Sequence, residues 1–137
     1  MKTDLVILNE ETIKEKLYYI RSKYVMLDSD LAKIYGYETK NFNRQVKNNK
    51  EKFDEDFMFQ LTDEEYNYIL RCKNFTTSLS NNYGGRRYNP YVFTEEGVYM
   101  LMTVLKGELA TYQSKALIKI FKSMKDYLID NKLLEKI

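Results

Sequence analysis

The chain has 137 residues, of which 44% are hydrophobic and 31% charged, a globular balance that fits one domain and excludes a disordered chain. Its formal net charge of +2 is too small to imply a nucleic-acid partner, so a basic surface must arise from segregation of charge along the chain. There is no histidine and a single cysteine, Cys72, which excludes histidine-dependent nucleophile systems, histidine-containing zinc sites, cysteine metal clusters and a disulfide framework.

In chain order, MKTDLVILNEE has too short an apolar run and too many acids for a signal peptide. No apolar run approaches the roughly 20 residues that span a bilayer. A reducing cytoplasm is the expected compartment, with no membrane attachment. Asn9 is placed to cap a short helix carrying Ile13 and Leu17. YYIRSKYVML reads as two short strands around a Ser22–Lys23 turn. Asp28 or Ser29 is expected to cap the next helix, whose buried side is Leu31, Ile34 and Tyr35, and Gly36 stands where a helix end favours positive φ. Thr39 is the expected cap of a second helix held down by Phe42 and Val46.

Phe57, Phe59 and Leu61 alternate as in a half-buried strand, and Thr62 with Glu65 forms a capping box for the helix that follows. Residues 71–87 lose periodicity, contain four basic residues and no acid, and read as a loop. RYNPYVF resumes as a strand, with Pro90 arguing for an edge position or a bulge. Thr94 caps TEEGVYMLMTVL, with acids in the first turn. From about Glu108 to Ile137 the chain reads as one long helix. Leu117, Ile120, Met124, Tyr127, Asn131 and Leu134 are spaced three and four apart along it, a short heptad seam. One reading packs its first half on the domain and leaves the second half as a linker. The other uses residues 117–134 for self-association, with Asn131 setting the register. The expected units are therefore 1–107 as the domain and 108–137 as the C-terminal helix.

The chemistry concentrates in two stretches. If Phe42 and Val46 face the core, Lys40, Asn41, Asn43, Arg44, Lys47 and Asn48 face largely outward, with Lys40, Arg44 and Lys47 in one stripe. Arginine can bond guanine at two points, asparagine can do so with adenine, and lysine neutralises phosphate, so this helix is a candidate reader of duplex DNA. A solvated helix face would look the same. The second stretch is GGRRY, where Gly84 and Gly85 let backbone N–H groups approach an anion and Arg86 and Arg87 can fork onto phosphate oxygens. Arg71 and Lys73 at the start of that loop are further phosphate-contact candidates, with Thr76, Thr77, Ser78 and Ser80 as neutral ones. Here too a plain polar loop fits the residues. The acids Asp28 and Asp30 belong to a helix start and Asp54, Glu55 and Asp56 to a turn, so no metal site is read into them. A tyrosine nucleophile lacks the supporting histidine. No catalytic residue, metal or cofactor is expected.

Taken together, VMLDSDLAKIYGYETKNFNRQVKNN, FDEDFMFQLTDEE and GGRRYNPYVFTEEGVYML resemble the ORF-six-N domain, a phage and prophage module related to the KilA-N domain. The resemblance runs from about residue 13 to about residue 125. It implies an N-terminal DNA-binding module of phage antirepressors and prophage regulators, without known catalysis, ahead of a variable C-terminal domain. The chain departs from the family's usual pattern at Asn48–Asn49, at Phe53–Asp54 and at Glu96. No base-contacting residues come with the resemblance, so the site assignments rest on the helix-face geometry. The expected fold is a compact α+β domain containing a helix-turn-helix, a small, mainly antiparallel sheet from residues 19–27, 57–61 and 87–93, and a long C-terminal helix. The expected partner is double-stranded DNA. The alternative is a protein-interaction module that binds a repressor, marked by an apolar surface patch in place of a basic one.

Overall fold

The computed structural model describes the backbone of residues 6–73 and 88–136 and the side chains of 6–73 and 88–126. Among these residues there are six α-helices and four strands: α1 Glu10–Lys14, β1 Tyr18–Ile20, β2 Lys23–Leu27, α2 Asp28–Ile34, α3 Thr39–Lys47, β3 Met58–Gln60, α4 Asp63–Cys72, β4 Tyr91–Thr94, α5 Glu95–Leu101 and α6 Glu108–Lys136. A 3₁₀ turn, Lys50–Lys52, follows α3. The architecture is the expected α+β, with a four-stranded, wholly antiparallel sheet in the order β1-β2-β4-β3.

Alternation along the strands divides the core into two layers. Met26 and Phe93 point to one side, where they pack with Leu31, Ile34, Phe42, Val46, Val98, Leu101, Leu117 and Phe121 from α2, α3, α5 and α6. Val25, Leu27, Val92 and Phe59 point to the other side and are covered by Ile69 of α4. The described residues thus form three layers, with α4 the one described helix on its side of the sheet.

Several local expectations hold in atomic detail. Asn9 closes a capping box with Thr12, and Thr62 closes one with Glu65. Thr94 accepts from the Gly97 N–H and donates to the Asp56 carbonyl. Gly36 adopts φ +77°. There the Gly36 N–H bonds the Lys33 carbonyl and the Tyr37 N–H bonds the Ala32 carbonyl, the paired closure that a left-handed residue makes at a helix end.

Others are corrected. The hairpin turn is Arg21–Ser22, one residue earlier than expected, and both residues have positive φ (55° and 64°), as a two-residue hairpin turn requires. Pro90 does not mark an edge: β4 is an interior strand, and Pro90 lies just before it, where no ladder N–H is needed. Neither Asp28 nor Ser29 caps α2, and Thr39 does not cap α3. Asp28 and Thr39 are the first residues of those helices, after Leu27 and Glu38, and neither helix has a side-chain cap. The segment read as a loop from residue 71 is still helical at Arg71 and Cys72.

The first half of α6 packs on the domain. Leu117, Ile120 and Phe121 are buried in the chain's own core, and half-buried Met124 packs against it. The side chains of Tyr127, Asn131 and Leu134 lie outside those described.

Candidate nucleic-acid interface

Helices α2 and α3 are joined by a short turn and packed as a pair. Phe42 is fully buried, with its ring edge-on to Phe93 (5.7 Å) and to Tyr37 (6.4 Å), and Val46 sits one turn further on. Those two side chains fix the rotation of α3 about its axis. Positions four apart on a helix share a face, so Lys40 and Arg44 fall on the side opposite Phe42 and Val46, with Lys47 beside them. All three are exposed, as is Asn48 at the C-terminal cap.

No carboxylate of the described residues pairs with this stripe. The ion pairs among the described residues are Lys14–Glu10, Arg21–Glu65, Lys23–Asp56, Lys122–Asp126 and Lys125–Glu95, all away from α3. Between residues 37 and 52, five bases stand against Glu38 and Glu51, a local charge of 5 − 2 = +3. The segregation that the net charge of the whole chain conceals is therefore present on this face.

The asparagines of α3 divide. Asn41 is half-buried at the flank of the stripe and Asn48 is exposed. Asn43 is half-buried and its amide donates to Asp28 Oδ2 at 3.0 Å. Asp28 is itself buried, and its carboxylate also accepts from the Ser29 N–H (2.7 Å) and the Tyr91 N–H (3.3 Å). This hub joins the start of α2, the middle of α3 and the first residue of β4. Sequence reasoning missed it because an aspartate before a helix is the ordinary signal for a cap, and nothing local says that the carboxylate turns inward.

The C-terminal helix braces the same pair. Buried Gln113 donates to the Ile34 carbonyl at the end of α2 (2.9 Å) and to the Val6 carbonyl (3.0 Å). The Tyr35 hydroxyl meets Ser114 Oγ at 2.7 Å, and Leu109 lies against Gly36. These contacts hold the α2–α3 turn rigidly against α6.

The phosphate-contact candidates are dispersed. Arg71 and Lys73 are exposed at the C-terminal end of α4, the helix on the other side of the sheet from α3. Gly84, Gly85, Arg86 and Arg87, with Thr76, Thr77, Ser78 and Ser80, lie outside the described residues. The chain is described again from Tyr88, which is exposed. Three residues on, the Tyr91 N–H joins the Asp28 hub, to which Asn43 of α3 also bonds. On its other side Asn89 donates to Asp63 at the start of α4 (2.7 Å).

A family model of the ORF6N domain matches residues 15–104, 90 of the 137 residues, and the chain belongs to that family. Membership is consistent with a protein of the phage-regulator kind. No curated protein and no solved structure matches the chain. None of the helices of the described residues is long and apolar enough to cross a membrane.

Proposed function

We propose that this ORF6N chain is the sequence-reading DNA-binding module of a phage or prophage regulator of the antirepressor kind, acting in the cytoplasm without catalysis. In this reading α2 and α3 work as a helix-turn-helix. α3 enters the major groove with Lys40, Asn41, Arg44, Lys47 and Asn48 toward the duplex, while the basic residues of the 71–87 segment hold the backbone. One observation carries it: Phe42 and Val46 lock α3 so that Lys40, Arg44 and Lys47 share an exposed face with no carboxylate partner among the described residues. Arg44 occupies the middle of that face and is the residue assigned to a base. The test is selection from a random duplex pool with the chain and with its Arg44→Ala variant. Loss of preference at one base position, with binding to bulk DNA reduced only modestly, supports the assignment. An unchanged motif removes Arg44 from base reading.

A second reading has its own observation. An apolar cleft of about 490 Å³ opens between α1, the sheet and α6, lined by Leu17, Tyr24, Met26, Phe93, Phe121 and Met124. Tyr19 and Tyr24 pack ring against ring beside it, tilted by 58° at 4.9 Å, and are both more than half exposed. An apolar patch of this kind supports the reading of a module that docks a repressor or another protein. It lies at a different place from the basic stripe, so the two functions are compatible in one molecule.

A further inference from the structure

Lys52 and Lys106 converge on one residue. Lys52 ends the 3₁₀ turn that follows α3, and its Nζ donates to Thr103 Oγ1 at 3.2 Å. Lys106 lies beyond α5, and its Nζ donates to the Thr103 carbonyl at 3.3 Å. Thr103 Oγ1 gives its own proton to the Met100 carbonyl (2.8 Å), so toward Lys52 it acts as acceptor only. Neither lysine enters an ion pair with a carboxylate among the described residues. Each ammonium has three N–H donors, and the bond to Thr103 occupies one, which leaves two on each for another acceptor.

Two ammonium groups bound to one threonine, neither paired with a carboxylate among the described residues, would both attract an anion placed between them. The surroundings add to the positive field. Lys47 and Lys50 are exposed in the same stretch, and across residues 47–52 and 103–106 four lysines face one acid, Glu51, giving 4 − 1 = +3. Thr103 is an exposed residue on the turn after α5, so the site is open to a large partner. It adjoins the C-terminal end of the basic stripe through the 3₁₀ turn.

We propose that Lys52 and Lys106, held by Thr103, form a phosphate-oxygen site that grips the DNA backbone beside the C-terminal end of α3. The proposal rests on the DNA-binding reading and adds to it a clamp on the opposite layer of the fold from Arg71 and Lys73. The duplex is then held close to α3, and the groove-facing stripe and the clamp form one continuous basic surface.

The test uses the full chain and two double variants of equal charge loss. Lys52→Gln with Lys106→Gln removes the clamp. Lys115→Gln with Lys119→Gln removes two exposed lysines of α6 as a control. Each phosphate contact contributes about 0.9 to the slope of log K against log salt, so losing two makes the slope shallower by about 1.8. If the affinities converge at about 1 M salt, that is a loss of about sixtyfold at about 0.1 M. The selected motif stays the same, since the clamp touches no base. An unchanged slope in the clamp variant, or an equal change in both double variants, overturns the clamp while leaving DNA binding intact. Failure of the unmodified chain to bind DNA at low salt overturns the clamp and the DNA-binding reading together.

Discussion

Replacing Asn43 with alanine separates the two roles that its position on α3 permits. Its Nδ2 donates to a buried carboxylate at 3.0 Å, and Asp28 is only 2% exposed. A hydrogen bond to a charged group contributes roughly 1.5–3 kcal/mol. Asn43 is half-buried, so water replaces part of what is lost, and the lower end, about 1.5 kcal/mol, applies. For a domain of this size that is a fall in Tm of roughly 6 °C. Thermal melting followed by circular dichroism reads this directly. A double-mutant cycle with Asp28→Ala isolates the bond and should give a coupling of about 1 kcal/mol or more. The same variant, used in selection from a random duplex pool, should enrich the motif of the unmodified chain. A Tm unchanged within about 1 °C together with a motif altered at one position would make Asn43 a base reader and refute the structural role.

Other predictions follow from the same packing. Gly97→Ala should prevent folding or destabilise by about 4 kcal/mol or more, because a Cβ there would lie 1.9 Å from the Phe57 carbonyl oxygen, which is backbone. Expression yield and urea denaturation check it. Gly36→Ala should be milder, at about 1–2 kcal/mol for a left-handed alanine. The residue sits at φ +77° and a Cβ would meet Leu109 at 3.0 Å. Its effect should appear in stability and in DNA affinity together, since the turn positions α3. The hydrogen bond from Arg21, at 2.8 Å, holds the Glu65 carboxyl below its ordinary value of 4.5. The folded chain therefore binds that proton more weakly than the unfolded one. The stabilisation is complete above the unfolded value and is lost as pH falls through the lower folded one. Arg21→Gln should accordingly narrow the difference in Tm between about pH 6 and about pH 3.

The parts of the fold that were legible in the sequence are those encoded within a few residues. Thr62 with Glu65 and Thr94 ahead of two acids each place a side chain and its backbone partner within one helical turn, and Gly36 after Leu31 and Ile34 supplies the positive φ that closes α2. The stripe on α3 was legible for the same reason, because Phe42 and Val46 four residues apart fix a helix face. What the sequence did not show depends on distant partners. Asp28 looks like a cap until Asn43 and Tyr91, 15 and 63 residues away, are placed around it. Leu117 and Ile120 share a heptad spacing with Met124, yet they are buried in the core, and spacing alone does not distinguish an inner helix face from a dimer seam. Pro90 suggested an edge strand because the residue's missing N–H is local knowledge, whereas the strand order is not. The Lys52–Thr103–Lys106 cluster left no signal in the sequence, since it joins two turns that are 51 residues apart.

In the proposed function the exposed basic face of α3 binds duplex DNA and reads its sequence. The most direct test is fluorescence anisotropy of the purified chain on a random-sequence duplex pool across a salt series, followed by sequencing of the bound fraction. If about five cations of the domain neutralise phosphates, log K falls with log salt at a slope of roughly −4 to −5, and the bound pool is enriched in one motif. A steep slope with no enriched motif would reduce α3 to a phosphate contact. An absence of binding at low salt would contradict the account and turn attention to the apolar cleft and a protein partner.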